Sequence, residues 1–429
     1  MMNLATEGRI SHNPELGRAV PLRVNFAWTS IGNAVYAACQ WAMVSVLAKL
    51  GSAELVGQYA LGIAATVPVL MLAQLNLRSV LVTDPDFAGR FRDYRNLRLT
   101  MMAISSIAIL AIALPMNGGM TGIVLLAGAM QAVEWVSDIY LGLFQRLERM
   151  ERIAISLAAR GVISVAALGF GVWATGRLTV GLGCVFAVRL LVLLVYDCGI
   201  AFKDCRFQHE GPPPQASQAR RLWSILVTAL PLGVVLMVGS LGTNTPRYFA
   251  AHHLGDHALG IFSAVASLAT GGGFVVNALG QAATPALARF YASDDRVGFR
   301  RLTNKLAAMG AALGAAAVAG SLVAGGFVLR TVYRPEYAEY TGLLAAMMFV
   351  TGIGFMGSLL GYAMTAARMF REQVPLQLAS LCAAAATSFF AVPRFGLMGA
   401  AAGVGAGSLA QLVGEAVLLT RWLQRKGRL

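Results

Sequence analysis

Long apolar runs alternate with short polar ones along the chain. Stretches of about 20 residues, rich in Leu, Ala, Val, Gly and Ile, recur from end to end, and about 20 such residues in a helix cross a bilayer. Hydrophobic length places a first set of spans at roughly 24–48, 55–82, 99–116, 121–144, 153–174 and 179–201. A second set falls at roughly 228–252, 258–285, 304–329, 338–366, 374–392 and 397–420. The apolar–polar alternation of a transmembrane barrel, in segments of about 10 residues, is missing. The expected fold class is an all-α polytopic membrane protein with about 12 transmembrane helices.

Composition agrees. Of 429 residues, 57% are hydrophobic and 13% charged, about half the charge share of a soluble domain. A single globular core of this size with so little charge runs against surface-to-volume scaling. The net charge of +14 would suggest nucleic acid in a soluble protein, but its distribution argues otherwise. Of the 34 Lys and Arg residues, Lys49, Arg177, Arg330, Arg334 and Arg394 fall on one side of the membrane. Arg78, Arg160, Arg189 and Arg247 fall within spans. All the others, Arg90, Arg92, Arg95 and Arg98 among them, sit in the alternate segments on the opposite side. The positive-inside rule makes that side cytoplasmic, puts both termini there and requires an even number of spans. No nucleic-acid partner is expected.

The cysteines, Cys39, Cys184, Cys198, Cys205 and Cys382, are odd in number and form no CxxC pair, so neither a disulfide framework nor a zinc site is indicated. The first 20 residues lack the apolar core of a signal peptide.

The longest polar segment, "KDCRFQHEGPPPQASQARR" at about 203–221, reads as a linker. It divides an N-terminal six-helix lobe (1–201) from a C-terminal one (222–429), with the linker at 202–221. A weak internal repeat supports two halves: "KLGSAELVGQYALGIAAT" after the first span and "HLGDHALGIFSAVASLAT" after the seventh. Parallel repeats of this kind occur in transporters.

The outer loops are too short to build a catalytic platform, and no Gly-rich phosphate loop with a Lys follows any run. The expectation is a transporter and not an enzyme, without a cofactor or metal. Coupling to H+ or Na+ is left open.

Charges inside spans mark function by default, because each is costly in hydrocarbon. Glu134 and Asp138 sit one turn apart on one face of the fourth span. Asp138 and Arg160 lie equally far from the turn joining spans four and five, and Arg189 lies at about the depth of Glu134. The expected pairs are therefore Asp138–Arg160 and Glu134–Arg189, serving either substrate binding, proton coupling or helix locking. Arg78 and Arg247 either snorkel to the two interfaces or offer guanidinium groups to an anionic head group. His252, His253 and His257 read as ordinary turn histidines. Gly399, Gly403 and Gly407 read as a close-packing seam. Pro68, Pro231 and Pro375 read as kinks, and Pro68 either as a hinge or as a static bend.

Residues 21–84 resemble bacterial polysaccharide flippases, the O-antigen and capsule exporters of the multidrug/oligosaccharidyl-lipid/polysaccharide (MOP) superfamily. The resemblance rests on Asn25-Phe26 with Trp28, Gly32-Asn33, Gln40-Trp41, Leu50-Gly51, Gly57 with Tyr59, Pro68, and Leu77-Arg78 with Asp84. Arg247, Leu254-Gly255 and Leu259-Gly260 with Phe262 resemble the family's junction between helices seven and eight, with Pro246 where relatives often have an acid. The resemblance implies a MATE-like exporter in the bacterial inner membrane, two lobes about a central cavity, and alternating access. It implies a lipid-linked oligosaccharide as substrate, with Arg78, Arg160, Arg189 and Arg247 toward its pyrophosphate, and as partners membrane lipids and other polysaccharide assembly proteins. The alternatives are a cation-coupled multidrug antiporter of the same superfamily and a membrane-embedded glycan polymerase or glycosyltransferase.

Overall fold

A computed structural model describes residues 22–84, 91–205 and 217–424. Most of the linker (206–216) lies outside the described residues, as do Arg9 and Arg18 toward one terminus and Arg425, Lys426 and Arg428 toward the other. The chain forms α1 (Leu22–Leu50), α2 (Ala53–Gln74), α3 (Leu77–Thr83), α4 (Phe91–Ala113), α5 (Gly118–Arg146), α6 (Met150–Thr175) and α7 (Leu178–Leu191). A π-helical segment, Val192–Cys198, carries α7 into α8 (Gly199–Cys205). Then come α9 (Gln218–Thr270), α10 (Gly273–Ala292), α11 (Arg296–Val332), a 3-10 segment (Pro335–Tyr340), α12 (Thr341–Ala366), α13 (Phe370–Phe395) and α14 (Leu397–Gln424).

Eleven helical runs among the described residues are long and apolar enough to cross a membrane. One of them, 218–292, holds 75 residues and would reach roughly 110 Å if straight, far beyond a hydrocarbon core of about 30 Å. It contains the expected seventh and eighth spans. The chain turns back at Gly255, whose φ of 79° and ψ of 178° break the helix in a region that only glycine enters at no steric cost. Before the break α9 runs antiparallel to α2, with Gly233 against Leu72 and Tyr248 donating to the Ala64 carbonyl. Beyond it the chain descends until Ser267, Leu268 and Phe274 face the middle of α1.

Pro68 lies inside an unbroken α2. The break comes later, at Leu75 and Asn76, both left-handed with φ of 54° and 49°. That break re-aims α3 and with it Arg78.

The helices pack as two groups. In the first, α1 lies on α6, α6 on α7, and α5 on α2, α4 and α7; in the second, α11 lies on α12, α13 on α14 and α9, and α12 on α14 and α10. Contact between the groups runs chiefly through α2 and α9. Small residues allow the close approaches. Gly314 meets Gly352 where α11 crosses α12, and Gly399, Gly403 and Gly407 lie against Ala391, Ser388 and Ala384 of α13, so the expected seam is a packing seam.

The repeat acquires a physical meaning here. Its two copies meet face to face: a Cβ on Gly57 would collide with the Asp256 carbonyl, and one on Gly260 with the Ala53 carbonyl. Polar contacts surround this crossing. His257 Nδ1 lies 2.7 Å from Glu54 Oε1, Gln58 donates to Asp256 at 3.2 Å, and Arg334 donates to the Lys49 carbonyl at 3.1 Å. The turn histidines thus include one member of a polar contact between the groups.

Candidate functional site

Three networks hold Glu134, Asp138, Arg78, Arg160 and Arg189 of the first group. In the first, Arg189 on α7 donates to Glu134 Oε2 on α5 at 2.5 Å and to Gln131 Oε1 at 2.8 Å. Tyr36 on α1 donates its hydroxyl to the other Glu134 oxygen, and Gln40 donates to that hydroxyl at 2.7 Å. The expected Glu134–Arg189 pair is present.

The expected Asp138–Arg160 pair is not. Asp138 receives Arg78 Nη1 at 3.0 Å, and Arg98 Nη2 lies 3.7 Å from its second oxygen. Arg78 also donates to Gln145 at 2.9 Å, so it is held inside the bundle and does not snorkel freely. Arg98, expected in a cytoplasmic segment, is fully buried on α4, which begins at Phe91. Its loose contact with Asp138 is its recorded ion pair, and its three guanidinium nitrogens have no hydrogen-bond partner among the described residues.

Arg160 belongs to the third network. It lies 3.2 Å from Asp197 Oδ2 and 3.0 Å from Ser156 Oγ, and also reaches Ser137. Asp197 in turn accepts from Ser156 at 2.7 Å and from Ser137. Arg160 and Asp197 have side-chain exposures of 2% and 0%. Equal depth on neighbouring helices fixed height but not the direction a side chain points. Arg160 faces the π-helical segment, where the wider turn changes the phase at which side chains emerge, and Asp197 meets it there.

Arg247 stands apart on α9, partly exposed, donating to Asn244 Oδ1 at 2.8 Å. The structure thus brings five of the six expected site residues into three separate networks of the first group and leaves the sixth alone in the second.

Between the groups lies a cavity of about 610 Å³, walled by Asn33, Tyr36, Gln40 and Trp41 of α1 and by Ser267, Leu268 and Phe274 across from them. Tyr36 and Gln40 connect it to the Glu134–Arg189 network. The Gly57–Gly260 crossing separates the cavity from the end of the bundle that carries the α1–α2 turn. Toward the other end the groove stays open between exposed faces of α1 (Ile31, Asn33) and α10 (Phe274, Val275). Sequence reasoning missed Arg98, Asp197, Tyr36 and the serines. Asp197 carried a signal, being the lone acid of the run "LLVLLVYDCGI".

Two helix groups meeting along α2 and α9 about a groove are the fold of MOP-superfamily transporters. An inward-facing multidrug resistance MATE transporter of that superfamily superposes with a TM-score of 0.65 at 14% identity, covering 93% of this chain and 96% of that one. An outward-facing multidrug resistance MATE transporter of that superfamily gives 0.60 at 14% identity over 94% and 95%. A MOP-superfamily transporter from Pyrococcus furiosus gives 0.60 at 16% identity over 93% and 95%. Within this fold the chain belongs to the polysaccharide biosynthesis protein family, whose model matches residues 22–291. The capsular polysaccharide biosynthesis protein CapF of Staphylococcus aureus is 25% identical over 393 residues, covering 88% of this chain and 94% of that one. The resemblance read in residues 21–84 holds at the level of family and fold.

Proposed function

We propose that the chain is a flippase that carries a lipid-linked oligosaccharide, a polyprenyl-pyrophosphate glycan, from the cytoplasmic to the outer leaflet of a bacterial inner membrane. The carrying observation is the groove: polar on its α1 wall, open at one end and closed at the other by the Gly57–Gly260 crossing. Among the described residues, the basic turn between α5 and α6, with Arg146, Arg149 and Arg152, lies at the end away from that crossing, and the positive-inside rule would make that end cytoplasmic. Asn33, Tyr36 and Gln40 offer hydroxyl and amide groups suited to a glycan. The pyrophosphate would find guanidinium groups that retain exposure, Arg78 and Arg247, for charge-assisted hydrogen bonds. Arg160 and Arg189, each 2% exposed, act by fixing the helices that carry the site. The lipid tail would stay in the bilayer beside the gap between α1 and α10. Parting of α2 and α9 at the crossing would then open the outer side, and the delivered glycan would pass to other assembly proteins.

Membership of the polysaccharide biosynthesis family and the likeness to CapF, named for capsular polysaccharide biosynthesis, support this reading. Deleting the gene and locating lipid-linked oligosaccharide by leaflet tests it. Accumulation on the cytoplasmic leaflet is the expected outcome. An unchanged distribution removes the proposal, and an altered drug-resistance profile with normal surface glycan would favour a multidrug antiporter in its place.

A further inference from the structure

Glu415 takes no part in the site described above. It lies on α14 with 3% of its surface exposed. Its carboxyl faces the glycine side of α12: a Cβ on Gly361 would stand 3.2 Å from Oε1, and one on Gly357 3.5 Å from Oε2. Gln411, one turn earlier on the same helix, donates to Oε1 at 3.1 Å. Oε2 has no hydrogen-bond partner among the described residues.

Among the described residues no ion pair reaches it from a neighbouring helix, and Arg296 of α11, which lies over the Trp422 ring of α14, is paired with Asp294. α12 has no Asp, Glu, Lys, Arg or His, and its Tyr362 hydroxyl donates to Asn277 at 3.2 Å. On α13, Arg371, Glu372 and Arg394 are exposed, as is Cys382. On α9, Arg221 is bound to Asp93, Arg247 to Asn244, Arg220 is exposed, and Tyr248 donates to Ala64. On α14 itself Arg421 is exposed. The contrast with Glu134, Asp138 and Asp197, each facing a guanidinium, is complete.

An ionised carboxylate with one donor and no counter-ion in hydrocarbon is not a stable arrangement; such a group is neutralised by a proton. The carboxyl packs into the space that the missing side chains of two α12 glycines leave, and half-buried Gln411 makes a polar step toward the surface. Glu415 is also six residues from Arg421, about 9 Å along the helix, so it sits near the end of the bundle that carries the C-terminus.

We infer that Glu415 is a membrane-embedded proton-binding site of the second helix group, loaded in the conformation described here and emptied when α12 and α14 shift against each other. The ligand is a single proton: uptake neutralises the carboxylate and release restores its charge. Exchange at this position couples the transport cycle to the proton gradient, an inference that rests on the transporter reading above.

The site itself can be tested without a transport substrate. Dicyclohexylcarbodiimide reacts with protonated carboxyls in apolar surroundings. The full chain in lipid nanodiscs is treated across a pH series and digested for mass spectrometry. The expected result is an adduct on Glu415 that declines several-fold toward alkaline pH and is lost in Glu415→Gln, with ion-paired Glu134 unmodified. Absence of the Glu415 adduct at every pH overturns the proposal. A second measurement uses a fluorescent polyprenyl-pyrophosphate oligosaccharide in proteoliposomes with an imposed pH gradient. The wild type should respond to the gradient and Glu415→Gln should lose the response, whereas Glu415→Asp should retain part of it. An equal response in the Gln variant overturns the coupling role. If the wild type leaves the probe unmoved while Glu415 is labelled, the proton site stands and the flippase reading fails.

Discussion

The two helix groups solve the same problem differently. Both bury long helices against one another with little charge available. In the first, ion pairs tie α5 to α7 (Glu134 to Arg189), α5 to α3 (Asp138 to Arg78) and α6 to the π-helical segment (Arg160 to Asp197). In the second, α11 to α14 approach through glycines at 314, 352, 399, 403 and 407, and the buried acid, Glu415, has no ion pair among the described residues. Ion pairs are directional and penalise the loss of either partner. Glycine seams rest on dispersion and backbone proximity and place no such demand. The first group is therefore the more rigidly specified one, and the second is better suited to helices that slide.

The largest effect should come from breaking the most buried pair. Asp197→Ala leaves Arg160 buried without its acid and should cost about 3–5 kcal/mol, while Arg160→Met combined with Asp197→Leu should recover most of that loss. Thermal unfolding in lipid nanodiscs measures both. Equal losses in the single and double variants would break the view that the first group depends on its pairs.

A smaller effect is expected where the groups meet. Gly57→Val places a side chain against the Asp256 carbonyl and should disfavour the closed crossing by about 1–3 kcal/mol. Cross-linking between cysteines replacing Glu54 and His257 reads this out. The yield should fall, and an unchanged yield would mean that the crossing is not the closed gate.

The partner of Asp138 is the next test. Asp138→Arg with Arg78→Asp should recover about 1 kcal/mol relative to the sum of the singles. Asp138→Arg with Arg160→Asp should recover nothing, because those side chains do not meet. Recovery in the second swap and not the first would restore the pairing expected from depth alone. The smallest effect belongs to Glu54→Gln. Its pair with His257 is half exposed, and its loss should change unfolding by less than about 1 kcal/mol. A larger change would make this pair part of the gate and not merely its rim.

Hydropathy located the crossings because hydrocarbon thickness sets a length that any spanning helix must meet. It erred where helices extend beyond their apolar stretch: α4 starts at Phe91 and buries Arg98, which an apolar window assigns to a loop. Depth arguments succeeded for Glu134 and Arg189 and failed for Asp138 and Arg160. A residue's distance from a turn gives its height in the membrane, but the direction its side chain takes depends on helix rotation. The break at Leu75–Asn76 re-aims Arg78, and the π-helical segment presents Asp197 to α6. Neither has a hydrophobic signature.

The order of residues by itself determined that this chain crosses a membrane repeatedly, which spans carry ions, and where small residues permit close contact. Each follows from local composition against a solvent of fixed thickness. Only the tertiary structure decided which ions meet, that the two repeat copies close against each other at Gly57 and Gly260, and that Glu415 has no counter-charge among the described residues. Those outcomes depend on the rotation of one helix relative to another, and packing across the whole bundle sets that rotation.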